Sequence, residues 1–259
     1  KEDFEKIFDR IKHLKFRAVV LYHAGEPLLN REIFYFIEKL SALSEFIKFV
    51  CNGSLLTDEK IDFILKSKLN LIEFSLDGTS VEQNNFIRVG SDFDRISGQI
   101  RKLLQKRRKQ GSKLQVYISN IQLPTKESNI NSIEAPQFLK DAFGEYLDDI
   151  MIRSYYAMYW PGYPRKIPFD PSEEPKNNYC DHIVNTITVR WNGDIVACCY
   201  DLTSKMVLGN LIQQPMEEIW NNEKYIALRS AIHQKKPPAM CKGCNVLYKE
   251  KYLYADEIK

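Results

Sequence analysis

The 259 residues contain no apolar run approaching the length of a membrane span. The opening Lys1-Glu2-Asp3-Phe4 has neither the apolar stretch nor the cleavage site of a secretory leader. An excess of one charge is also missing: 37 basic and 34 acidic residues give a formal charge of +3, too little to argue for a nucleic-acid partner. These absences describe a soluble cytoplasmic protein, a compartment in which structural disulfides are not expected. Its 44% hydrophobic content suffices for one large core or two modest ones.

A second C-x2-C pair is lacking too, and that shapes the reading of the cysteines. Five of the six fall in the last third: Cys180, the adjacent Cys198 and Cys199, and the knuckle Cys241-x2-Cys244. A knuckle grips one metal centre from a single turn, and two distant cysteines can complete a four-thiolate site. The spacing C-x17-C-x42-C-x2-C has only one of the two knuckles that a zinc ribbon would show, which favours iron-sulfur ligation and leaves zinc as the alternative. Inert buried thiols would explain scattered cysteines but not a knuckle. The expected ligands are Cys180, Cys198, Cys241 and Cys244. Neighbours on a strand point to opposite faces, so Cys199 is expected to pack instead.

The first part of the chain alternates helix and strand. Phe4, Ile7, Phe8, Ile11 and Leu14 recur at helical spacing, and Ala18 to Tyr22 is short enough for a buried strand. Asn30 precedes a helix bearing Ile33, Ile37 and Leu40, and Phe46 to Val50 reads as the next strand. Thr57 caps an acidic first turn, Leu71 to Ser75 is a strand, and further strands fit at 114–118 and 149–152. The basic run Lys106 to Lys109 ends an amphipathic pattern before Gly111, as suits a solvated helix C-terminus. Such alternation indicates parallel βαβ units with chemistry at the carboxyl ends of the strands. Five of the 11 prolines then fall between 157 and 175, marking 157–179 as a Pro-rich linker. Beyond it, Asn192-Gly193 between two apolar segments reads as a hairpin turn, with Cys198 on the return strand and two helices before the knuckle.

The succession Gly25-Glu26-Pro27-Leu28-Leu29, Cys51-Asn52-Gly53, Ser75-Leu76-Asp77-Gly78 and Ile87-Arg88 resembles the core of radical S-adenosylmethionine (SAM) enzymes. Trp191-x-Gly193-x4-Cys198-Cys199-x-Asp201, Leu208-Gly209-Asn210, Glu218-Ile219-Trp220 and Cys241-x2-Cys244 resemble the SPASM or twitch domain that binds an auxiliary cluster. The resemblance implies an α/β fold: a partial (βα)6 TIM-like barrel without its first strand over 1–156, then a β-hairpin plus helix cluster-binding domain over 180–259. It implies two cofactors, a 4Fe-4S cluster and SAM. The Gly25, Glu26 and Pro27 segment would bind the SAM amino group, with Ser75, Ser119, Asn120 and Arg153 as further cofactor-binding candidates at strand ends.

The family usually has Gly where this chain has His23 and Ala24. A larger departure is that members carry C-x3-C-x2-C after the first barrel strand, and these 259 residues contain no such motif. The sequence is thus expected to be an N-terminally truncated fragment or a relative retaining only the auxiliary cluster. Two function classes follow. One is a radical SAM oxidoreductase or maturase, similar to the twitch-bearing 2-deoxy-scyllo-inosamine dehydrogenase, that uses a 5′-deoxyadenosyl radical for hydrogen abstraction. It would act on a small-molecule or peptide substrate, with a reductant such as flavodoxin or ferredoxin; this chain alone is expected to be inactive. The other is a non-catalytic iron-sulfur or zinc-binding electron-transfer module. No catalytic side chain is identified.

Overall fold

The computed structural model describes residues 1–159 and 172–255, so most of the Pro-rich linker lies outside the described residues. The chain divides into two compact units, one of residues 15–157 with 254–259 and one of residues 1–14 with 158–253.

In the first unit, strands β1 (Val19–Val20), β2 (Ile47–Cys51), β3 (Leu71–Ser75), β4 (Gln115–Gln122) and β5 (Ile150–Tyr156) form a five-stranded sheet in the order 1-2-3-4-5. Every pairing is parallel. The parallel order bears out the βαβ reading of the alternation, and the sheet is the partial barrel that the family resemblance implies. The opening helix α1 (Glu2–Ile11) belongs by its contacts to the other unit. Between the strands run α2 (Ile33–Leu40), α3 (Asp58–Lys66), α4 (Val81–Ile87), α5 (Phe93–Gln110) and α6 (Gln137–Phe143).

Local chemistry sets the helix ends. Thr57 Oγ1 accepts the Lys60 N–H at 3.3 Å to cap α3, and Asp92 does the same for Arg95 at 3.0 Å on α5. Helix α5 stops at Gly111, whose φ of 61° is the left-handed conformation that glycine tolerates. Its basic last turn is not merely solvated: Arg108 Nε donates to Asp149 at 2.6 Å, and Lys106 pairs with Asp62 at 2.7 Å.

The two faces of the sheet differ. Ile47, Phe49, Cys51, Ile72, Phe74, Val116 and Ile118 are all buried. A Cβ on Gly53 would lie 2.7 Å from the Ile96 side chain and 3.5 Å from Phe74, showing how tightly α5 sits on this face. The opposite face carries Lys48, Glu73, Ser75, Tyr117, Ser119 and Arg153, whose alternation with the apolar residues follows from the period of a strand.

The second unit has α7 (Asp181–Val184), then β6 (Thr188–Val189), β7 (Asp194–Val196) and β8 (Val207–Asn210) in an antiparallel sheet, followed by α8 (Met216–Trp220) and α9 (Glu223–His233). The anticipated hairpin has therefore gained a third strand. It turns at Gly193, where φ is 85° and a Cβ would lie 2.9 Å from Ile212. In α1 only Ile11 is buried, and His13, just beyond that helix, meets Glu217 of α8 at 2.6 Å.

Candidate functional site

The loop after β1 holds Gly25, Glu26 and Pro27. Ala24 precedes them with φ of 53°, a left-handed conformation that costs a side-chain-bearing residue about 1–2 kcal/mol. Both carboxylate oxygens of Glu26 accept backbone N–H groups: Oε1 from Leu28 at 3.0 Å and Oε2 from Asn52 at 2.8 Å. The side chain thus pins the loop after β1 to the loop after β2. Pro27 is buried, while Gly25 is exposed, and a Cβ placed on it would meet nothing nearer than 3.9 Å.

Ser75, Ser119 and Arg153 are register partners across β3, β4 and β5, so their side chains share the polar face; Ser75 ends β3, whereas Ser119 and Arg153, expected at strand ends, lie inside β4 and β5, which each run three residues further. The Arg153 guanidinium lies over the Tyr117 ring, 4.4 Å from its centroid. Asn120 faces the other way and is fully buried. Its amide donates to the carbonyls of Leu76 at 2.8 Å and Gly78 at 2.9 Å. Its oxygen accepts from Gln122 at 2.9 Å and Ser154 at 3.2 Å. All four of its hydrogen-bonding positions are used, which makes it a clip for the loop after β3 and leaves none for a ligand.

That loop carries a pair not anticipated from the sequence. Asp77 is buried, accepts the Ile121 N–H at 2.8 Å, and pairs with Arg88 at 2.7 Å. Burial pushes its carboxyl above the ordinary value although Arg88 pulls the other way. The two residues line a cavity of about 340 Å³ with Asn52, Ser54 and Ser91 at the ends of β2 and β3. On the polar face, Glu73 is buried against Lys48 at 3.0 Å. A charge amid Leu71, Ile72 and Phe74 was the one sequence signal for this pair.

In the second unit Cys180, Cys198, Cys241 and Cys244 are each 7% exposed and free of disulfides. Burial pushes the Cys198 and Cys241 thiols up to about 12 and raises the other two. Cys241 also feels the charge of Cys198, Cys244 and Cys180, so the other three thiols lie within electrostatic reach of it. Among the described residues no three His, Cys, Asp or Glu side chains are drawn tightly enough together for one metal ion. Cys198 follows β7 in a turn instead of standing on the strand. Cys199 is part-exposed, 3.9 Å from His182 Nδ1, and also within the field of Cys180. Buried Asp201 shapes this turn by accepting the N–H groups of Lys205 at 2.7 Å and Met206 at 2.8 Å.

Among the described residues no helix is long and apolar enough to cross a membrane. Comparison with known proteins agrees with the geometry. Residues 1–118 match the Radical SAM superfamily, and residues 180–245 match SPASM, an iron-sulfur cluster-binding domain. The chain is 32% identical over 90 residues to the S-adenosyl-L-methionine-dependent 2-deoxy-scyllo-inosamine dehydrogenase of Niallia circulans, covering 32% of this chain and 36% of that protein. The match thus spans little more than a third of that relative's length. It is 22% identical over 282 residues to the tungsten-containing aldehyde ferredoxin oxidoreductase cofactor-modifying protein of Pyrococcus furiosus, covering 95% of this chain and 76% of that one. Two solved structures share the fold. Native anSMEcpe with bound AdoMet and Cp18Cys peptide has a TM-score of 0.63 at 16% identity, over 97% of this chain and 80% of that one. BtrN in complex with AdoMet and 2-DOIA has 0.56 at 16% identity, over 98% and 84%. This chain belongs to the radical SAM superfamily and carries a C-terminal SPASM domain.

Proposed function

We propose that the chain is the core and auxiliary-cluster portion of a radical SAM oxidoreductase or maturase, with residues 1–156 as core, 157–179 as linker and 180–259 as cluster domain. The observation that carries this reading is the set of four buried thiols, three of them within the field of Cys241, following a parallel sheet with a polar row across β3, β4 and β5. Thiols raised by burial call for a cation to compensate their ionised forms. The spacing C-x17-C-x42-C-x2-C has one knuckle where a zinc ribbon has two, which favours a 4Fe-4S cluster on Cys180, Cys198, Cys241 and Cys244 over a single zinc ion.

When bound and reductively cleaved, SAM supplies a 5′-deoxyadenosyl radical for hydrogen abstraction. The chain's own contribution is binding and placement. Backbone carbonyls of Gly25 to Pro27 take the SAM amino group, in a loop fixed by the Glu26 staple. The Ser75 and Ser119 hydroxyls offer donors and acceptors on the polar face, and Asn120 acts at one remove by holding the loop after β3. The substrate is a small molecule or a peptide, and a flavodoxin or ferredoxin supplies electrons.

These 259 residues lack C-x3-C-x2-C, so SAM cleavage needs thiolates from outside them. The chain is tested after anaerobic reconstitution with strong reductant, beside a longer chain carrying the motif. The expected result is 5′-deoxyadenosine from the longer chain alone. Its formation by these 259 residues would overturn the cluster assignment; its absence from both would favour the electron-transfer module.

A further inference from the structure

The polar face of the parallel sheet is not electrically balanced. Its lysine, Lys48, is matched by Glu73 at 3.0 Å. Its arginine is matched by no acid: among the described residues the Arg153 side chain makes no hydrogen bond or ion pair, and its guanidinium is held only by the Tyr117 ring. The side chain is part-buried, a setting in which an uncompensated charge is costly.

We propose that Arg153, stacked on Tyr117, anchors an oxyanion of the substrate, a carboxylate or phosphate. This rests on the enzyme reading above and adds the substrate's charge to it. Stacking covers one face of the guanidinium and leaves its N–H edge free, the geometry that binds two oxygens of one oxyanion at once. Ser119 and Ser75 continue the row on the next two strands, so their hydroxyls lie on the same side of the sheet as that edge.

The carboxylate of SAM is the other oxyanion to consider, and topology speaks against it. It shares a carbon with the amino group, which the reading above places at the loop after β1. Arg153 stands on β5, at the opposite edge of the five-strand order from β1. Its oxyanion is therefore assigned to the substrate, and the competition with SAM in the test below separates the two sources.

The test uses the full chain with 15N-labelled arginine, the Arg153 Nε–H signal being assigned by its loss in Arg153→Lys. Inorganic phosphate and malonate are titrated, each with and without saturating SAM. The expected result is a saturable shift of that signal at roughly a tenth of the concentration that moves exposed arginines. SAM leaves it in place, and Tyr117→Leu, which keeps the charge but removes the ring, weakens it several-fold. A shift no stronger than that of exposed arginines would overturn the proposal. So would a shift produced by SAM alone and competing with phosphate, which would assign the site to the SAM carboxylate. The readout needs no turnover, so failure of 5′-deoxyadenosine formation in the longer chain would sink the enzyme reading without altering this result.

Discussion

The carboxylate of Glu26, in the loop after the first strand, accepts the backbone N–H of Asn52, in the loop after the second, at 2.8 Å. With the Leu28 N–H on its other oxygen, it joins two strand ends that carry the candidate cofactor loop. Hydrogen bonds to a charged acceptor contribute about 1.5–3 kcal/mol each. Glu26→Ala is expected to lower stability by about 2 kcal/mol, read as a lower urea midpoint. SAM affinity falls with it through loss of loop order, and Glu26→Asp, too short to span both loops, behaves like the alanine variant.

Ala24 supports a different expectation. Its φ of 53° is strained for alanine and free for glycine. The relief is partly offset by the extra freedom that glycine gives the unfolded chain, about 0.4–1 kcal/mol. Ala24→Gly should therefore stabilise by about 0.5–1 kcal/mol, seen as a raised urea midpoint at unchanged slope. A lower midpoint would mean that the left-handed turn is not held in solution.

The buried Asp77 carboxyl is raised above its ordinary value of 3.8, chiefly by burial. The folded state then holds the proton more tightly than the unfolded chain. The resulting stability is present in full below the unfolded value and is lost as pH rises through the folded one. The stability difference between wild type and Asp77→Asn should shrink from about pH 4 towards neutrality. Arg88→Met removes the opposing charge, raises the carboxyl further, and steepens that loss. Urea unfolding of the three proteins across this range checks the sign.

Anaerobic reconstitution with iron and sulfide should load about four irons per chain. Alanine at Cys180, Cys198, Cys241 or Cys244 should abolish most of that loading. Cys51→Ala, in the buried core of the sheet, should leave it intact. Cys199→Ala is the sharper control because that thiol lies within the field of Cys180. Equal loss of iron from Cys199→Ala and Cys198→Ala would exchange their roles. Tight zinc uptake without iron would replace the cluster by a single ion.

What the sequence determined by itself was the order of elements and the identity of the chemical groups. Hydrophobic periodicity and capping placed β3 at Leu71–Ser75 and set the end of α5 at Gly111, because those signals act within a turn or a strand. The knuckle at Cys241 and Cys244 was legible for the same local reason. Tertiary structure decided which groups remain available. Asn120 and Arg153 looked alike as polar residues at strand ends, yet Asn120 is spent on Leu76, Gly78, Gln122 and Ser154, while Arg153 stays uncommitted above Tyr117. The third strand of the small sheet and the pairing of Asp77 with Arg88 also escaped the sequence. Hydrogen bonds and ion pairs between residues distant in the chain depend on register and loop packing, and local patterns do not encode these.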